Sequence, residues 1–381
     1  MQPIHRFSVF GCLRPSCVAL LLASIALGAC TLSLNPTNLR ATTVNVPDGA
    51  EGIGFDDLRY DAALGKVLVP AAETGDLDLI DPETLKVTTI SGFSVRDSTD
   101  PQRVGTTSVT TARGLVFALD QAALQLDVVD PVAGVIITST SVLTAPDYIR
   151  YVASTGELWV TEKSLEQIEV FTLSDAMPPM ITATAVITVP NGPESLLIDE
   201  TRGRAYTNQP KIGMTAVIDL KTRALVAQWG NGCTKARGMA LDEVRGYLFV
   251  ACNEGKVVML DADGDGLHIT SENFGAGIDF VAYNPRLQHV YLPSSKSGLL
   301  AIFGVTYTTL TDTTTLTVPA PGTVTATLTP TIKIGLIRLG TADTNLKAKC
   351  VVADDHDDAW VCDPSRGQVL RVRDTFPASE P

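Results

Sequence analysis

"GCTKARGMALDEVRGYLFVACNEGKVVMLDADGDG", residues 232–266, holds three short apolar runs separated by turns. "GMALD" alternates, "GYLFVA" (246–251) carries an aromatic residue near its centre, and "VVMLD" ends in an acid before a Gly-rich turn. Period-two runs of five or six residues, punctuated by Gly and Asp, read as antiparallel strands. Outward from this stretch the same unit recurs. Its second run reappears as "GKVLVP" (65–70), "RGLVFA" (113–118), "GELWVT" (156–161), "GRAYTN" (203–208), "QHVYLP" (288–293) and "DDAWVC" (357–362). The central residues are Leu68, Val116, Trp159, Tyr206, Phe249, Tyr291 and Trp360, spaced by 48, 43, 47, 43, 42 and 69 residues. A third run follows each, as in "LDLIDPET", "LDVVDPVA" and "TAVIDLKT", and then a fourth, as in "LKVTTI" or "ALVAQW".

Four short strands per unit of about 45 residues, repeated seven times, predict an all-β chain folded as a single seven-bladed β-propeller. Helical periodicity is nearly absent, and most of the Gly and Pro fall between the runs. The last unit supplies three strands, "LKAKCVV", "DAWVCD" and "GQVLRVRD". "LRATTVNV" (39–46) is expected to be its missing outer strand, so that an N-terminal strand in the last blade closes the ring and leaves no open edge. The expected propeller runs over 39–376, with a tail at 377–381. The unit sequences, "RGYLFVACNEGKVVMLD" most of all, resemble YVTN-type seven-bladed propellers over roughly residues 50–375. That resemblance implies a fold and leaves function open.

The ends and the composition bound the setting. Arg6 and Arg14 precede an apolar run, "CVALLLASIALGA" (17–29), too short to remain as a mature membrane span. It leads into "LGAC" (27–30), which resembles a bacterial lipobox. The resemblance implies a lipoprotein signal peptide at 1–29, acylation of Cys30, and a lipid-anchored linker over 30–38. Thr31 rather than Asp after the cysteine implies an outer-membrane or cell-surface address. The mature chain would carry 27 basic and 42 acidic residues, a net of −15, which argues against nucleic-acid partners. Cys233, Cys252, Cys350 and Cys362 remain, and export suggests two disulfides with three possible connectivities. Cys350 and Cys362 lie symmetrically about a hairpin tip at His356, and Cys233 and Cys252 flank the matching hairpin of blade five. Local bridges 233–252 and 350–362 are therefore expected. Bridging blades five and seven instead would demand a reach across the ring that disulfide geometry does not tolerate.

Residues 261–272, "DADGDGLHITSE", match the calcium-loop template D-x-[DN]-x-[DN]-G-x5-E. The repeat register places them between two strands, and an extended 267–272 would carry Glu272 about 20 Å from Asp265 at about 3.3 Å per residue. An EF-hand is excluded. Asp261, Asp263 and Asp265 stay candidates for a weak calcium site in a hairpin turn, against the simpler reading of a solvated Asp–Gly turn. Calcium is the one cofactor suggested, and none is required.

Counting back from each central aromatic-strand residue places Asp56, Asp147, Tyr148, Glu194, Arg237, Asp279 and Lys349 around the mouth of the central channel. Such a ring suits a small polar ligand, a cation, or mutual neutralisation. Catalytic signals are thin: His268, His289 and His356 fall at turn or outer positions, and no nucleophile elbow or haem motif occurs. The expected function is that of a non-catalytic module binding a ligand or an envelope protein, touching the membrane through its lipid alone. The alternative is a calcium-dependent, lactonase-like hydrolase using Asp56, Glu194 and Asp279. Finally, "YTTLTDTTTLTVPAPGTVTATLTPTI" (307–332), nearly half threonine, interrupts blade six within an insert at about 304–335. It reads as a projecting hairpin, sparsely charged and open to cover by a partner, or as a threonine-rich loop.

Overall fold

A computed structural model describes residues 37–96, 100, 103–310, 313–316, 324–327 and 331–380. The signal segment and Cys30 lie outside the described residues. What is described forms seven antiparallel sheets arranged as propeller blades. Blade 1 consists of Arg59–Asp61, Lys66–Pro70, Asp76–Ile80 and Val87–Ser91, from the axis outward. Blades 2 to 5 repeat that order over 106–141, 149–188, 194–230 and 236–273. In every blade the innermost strand leads away from the channel mouth, and the second returns to it.

The predicted central residues of the second strands, from Leu68 to Trp360, are all fully buried. They sit where each sheet faces its neighbours, which is why these positions alternate apolar-in along short strands. The larger aromatics keep their polar atoms satisfied by buried carboxylates. Trp159 Nε1 donates to Glu157 at 3.0 Å, Tyr206 Oη to Asp199 at 3.0 Å, Tyr291 Oη to Asp374 at 2.8 Å and Trp360 Nε1 to Asp354 at 2.8 Å.

Closure follows the expectation and adds to it. Ala41–Asn45 pairs antiparallel with Gln368–Arg373 and completes blade 7 as its outer strand. The segment just before it, assigned from sequence to a linker up to residue 38, is already a strand. Thr37–Leu39 pairs in parallel with Gly340–Ala342 on the outer edge of blade 6. One N-terminal stretch thus clasps two blades. Gly340 is required there, because a Cβ would lie 2.5 Å from the Thr37 carbonyl oxygen and 2.4 Å from the Phe376 ring.

Both disulfides are the expected local ones, with Cα separations of 5.3 Å for Cys233–Cys252 and 5.5 Å for Cys350–Cys362. The described residues of the threonine insert pair as a hairpin. Leu299–Leu310 and Thr331–Asp343 pair along their whole length, and Thr313–Leu316 pairs with Val324–Thr327 further out. Its base is covered from within the chain: Val305 and Leu336 are buried, and Tyr307 and Ile334 pack against the same buried cluster as Ile269 and Phe274 of blade 5. His289 corrects the sequence reading. It lies fully buried on the second strand of blade 6, with Nδ1 2.7 Å from Asp374 and Nε2 3.1 Å from the Pro377 carbonyl. The residues after Arg373 fold back over it, which the repeat pattern gave no means to foresee. No helix among the described residues is long and apolar enough to cross a membrane.

Candidate functional site

The innermost strands start at one end of the channel, so the residue just before or at each start is aimed at its mouth. The structure brings the expected charges together there as a chain of alternating sign. Lys349 Nζ lies 3.8 Å from Asp56 and 3.8 Å from Asp279. Arg237 lies 3.4 Å from Asp279 and 3.0 Å from Glu194. The chain continues through a residue that sequence counting missed. Lys163 contacts Glu194 and lies 3.9 Å from Asp147. It stands on the short 3-10 turn Lys163–Leu165, between the second and third strands of blade 3. A count made back from the second strands could not reach it.

The chain runs Asp147, Lys163, Glu194, Arg237, Asp279, Lys349, Asp56: four acids and three bases. Blade 2 contributes no charge, since Gly105 stands just before its inner strand, where a Cβ would lie 1.8 Å from the Ser94 carbonyl oxygen. Asp56 and Asp147 therefore end the chain on either side of blade 2 with no ion pair joining them among the described residues, although the Lys349 charge acts on both. Burial pushes Asp56 up to about 8; Lys349 opposes the rise, while Asp147 and Asp279 add to it. Burial likewise lifts Asp147 to about 6, with Lys163 opposing and Glu194 adding. Protein surrounds both groups, yet water still reaches them along the axis, since their side chains are 22% and 20% exposed. Lys349 moves above its ordinary value, chiefly through the Asp56 charge.

Tyr148 lies buried at the start of the blade 3 strand, its ring centroid 6.0 Å from that of Phe280 in blade 6. Arg150 sits 5.6 Å over the Tyr148 ring. Its guanidinium also grips Asp57 with two bonds of 2.6 and 3.1 Å, and Ser108 Oγ donates to the same carboxylate at 2.6 Å. This buried knot ties the inner strands of blades 1, 2 and 3 together. It too escaped the sequence reading, although adjacent acids at Asp56–Asp57 and a charged residue inside "YIRYV" were its visible traces. A cavity of about 320 Å³ runs down the channel from here, between the inner strands of the blades.

No protein-family model matches the sequence, and no curated protein does. Solved structures do resemble the fold. A streptogramin B lyase is 10% identical with a TM-score of 0.61, covering 88% of this chain and 97% of that one. The Cps50 (Swd1) β-propeller domain of Myceliophteria thermophila is 12% identical with a TM-score of 0.61, covering 88% and 99%. A chain of a mitotic checkpoint complex is 10% identical with a TM-score of 0.66, covering 97% and 99%. At such identities the likeness concerns the fold, a propeller that hosts both lyase chemistry and assembly into complexes in other proteins.

The "DADGDG" turn divides its acids. Asp261 Oδ1 accepts the backbone N–H groups of Asp263 at 3.0 Å and Gly264 at 3.2 Å, an Asx-type cap on its own turn. Asp263 turns to Arg202 of blade 4, 2.6 Å away. Arg202 also holds Asp199 at 3.2 Å. Glu272 lies within the extended outer strand His268–Asn273 and pairs with Val257, as the strand register required. Among the described residues, the one group of three potential ligands close enough to share a metal is Cys233, Cys252 and Glu254, and its thiols are joined as a disulfide.

Proposed function

We propose that this chain is an exported, lipid-anchored propeller of the YVTN type that binds an envelope protein or a small polar ligand and performs no catalysis. The observation that carries this reading is the pairing at the mouth. Each acid that a hydrolase would turn toward calcium is already held by a base: Asp56 by Lys349, Glu194 by Lys163 and Arg237, and Asp279 by Arg237 and Lys349. A divalent ion would have to displace cations that stand on the same ring. General acid–base chemistry is also poorly provided for. His268 lies on the outer strand of blade 5, His289 is walled in, and His356 occupies a turn. One virginiamycin B lyase structure is of a form made catalytically inactive by replacing a histidine with alanine. None of the histidines described in this chain lines the channel cavity.

One observation favours the hydrolase reading: Asp56 and Asp147 end the chain of charges unjoined, and a cation between them would relieve both. Lactone hydrolysis measured in EDTA and in millimolar calcium separates the two readings. The binding module shows no turnover in either buffer. Calcium-dependent turnover that Asp56→Asn abolishes would install the hydrolase. Anchoring is checked independently, by detergent-phase partition of the full chain against Cys30→Ala, with the wild type expected in the detergent phase and the variant in the aqueous one.

A further inference from the structure

Arg59, on the innermost strand of blade 1, stands apart from the other charges of the channel. It is half-buried and lines the 320 Å³ cavity behind the mouth, and its guanidinium makes no hydrogen bond or ion pair among the described residues. The acids within reach are committed elsewhere. Both Asp57 oxygens are taken by Arg150 and Ser108. Asp61 accepts the Leu64 N–H at 2.7 Å and the Thr111 hydroxyl. Glu243 accepts the backbone N–H of Thr201 at 2.9 Å and its hydroxyl at 2.7 Å. Within the chamber Arg150 is paired with Asp57, while Arg59 and Glu243 line the cavity without an ion-pair partner of their own. Repulsion by Arg150, joined by burial, pulls Arg59 down to about 10, so it still carries its proton at neutral pH.

An unpaired cation in such a place lowers the stability of the empty protein. The rest of the chamber suits a small organic molecule. Its volume falls at the low end of the ordinary range for ligand pockets, and Leu197, Met239, Phe280 and Val281 add apolar patches to a lining that is mainly polar. The hydroxyls of Tyr60 and Tyr283 are spent on Asp355 and Asp242, so they are not free to serve as the chamber's polar anchor. A planar guanidinium with free donors in a mainly polar chamber with a few apolar patches suits a small carboxylate, which it can hold by two parallel bonds. We propose that the chamber behind the charged mouth binds a small organic carboxylate, with Arg59 as its clamp. This site shares only Tyr148 with the mouth ring, and it holds whether or not the ring's charges bind anything.

The test uses benzoate as the carboxylate, benzamide as its neutral isostere, and inorganic phosphate as the competing anion. Melting and titration calorimetry are run on the wild type, Arg59→Met, Arg59→Lys and, as a control at the mouth, Arg237→Gln. Benzoate at ten times its dissociation constant is expected to raise the wild-type and Arg237→Gln melts by about 2 °C. Benzamide should leave them unmoved. Arg59→Lys should bind benzoate about tenfold more weakly, since a point charge cannot make the forked pair. Arg59→Met should lose binding and, without ligand, melt higher than the wild type. A structural arginine would show the opposite sign. The proposal falls if benzoate does not shift the wild type, if benzamide or phosphate shifts it equally, or if Arg59→Met still binds. Should Arg59→Met fail to fold, undiminished binding by Arg59→Lys would overturn it as well.

Discussion

Asp56 shows what a single carboxyl at the end of a charge chain does to the stability of the whole. Its folded value, about 8, stands far above the ordinary 3.8. The native state therefore holds a proton that the unfolded chain has released, and stability falls as pH rises from about 4 toward 8. Above that the loss is complete. Asp56→Asn is expected to stabilise the protein at pH 8 by on the order of 2 kcal/mol and to leave it unchanged near pH 4, read by denaturant melts at the two pH values. Asp78 has the same sign and the same leading cause, away from any charge chain. It is fully buried on the third strand of blade 1, and burial lifts it to about 7 although Thr89 donates to it. Its second oxygen has no partner. In blade 5 the matching residue, paired to the position just after the central aromatic, is Val258. Asp78→Val should stabilise by about 1–3 kcal/mol at pH 8 and by less at pH 5. A destabilised variant would show that the carboxylate is satisfied by water. Residue-scale chemistry of this kind was only half legible. Counting strand starts found six ionisable residues of the ring and its tyrosine, because a repeat fixes where each inner strand begins. It could not find Lys163, Arg59 or the Asp57–Arg150 pair, whose roles depend on which side chains of other blades point back at them.

At the scale of the element, the turns decide more than their residue types suggest. "DADGDG" offers three acids in a row, but one caps its own turn and the next reaches a neighbouring blade. Asp263→Ala should therefore cost about 0.5–1 kcal/mol through the loss of Arg202, by the same amount in EDTA and in calcium. A loss confined to calcium would instead mark a metal site. The disulfides close short loops, with sequence separations of 19 and 12 residues. Each is expected to contribute about 3 kcal/mol, so reduction should lower the melt without changing the oxidised spectrum's β signature before the transition. Strand positions and both bridges could be read from sequence because a period of two and a hairpin tip are local properties. The covering of the hairpin's base could not, since Ile269 and Phe274 join the same buried cluster as Tyr307 and Ile334 only after the ring has curled.

For the whole molecule, closure rests on one stretch of nine residues, Thr37 to Asn45. The antiparallel half of the clasp was legible, because a blade with three strands advertises the lack of a fourth. The parallel half was not, because "TNL" has no pattern of its own and pairs through backbone alone. Gly340 is the place to test it. Gly340→Val forces its side chain into the Thr37 backbone, and the expected result is a loss of at least about 2 kcal/mol, with protease cutting near residue 40 long before any cut within blades 2 to 5. Uniform resistance in the variant would mean that the clasp is ornamental.

That clasp also sets an order in time. The outer strand of blade 7 is made more than three hundred residues before its partner, Gln368–Arg373. A chain emerging from N to C can stack blades 1 to 5 as they appear, since their strands pair with near neighbours. Its leading segment must meanwhile wait unpaired, an exposed edge seeking a mate, until more than three hundred residues have followed it. The vulnerable species for this protein is thus an open horseshoe with a loose leading strand, and whatever escorts the nascent chain has that one segment to shield.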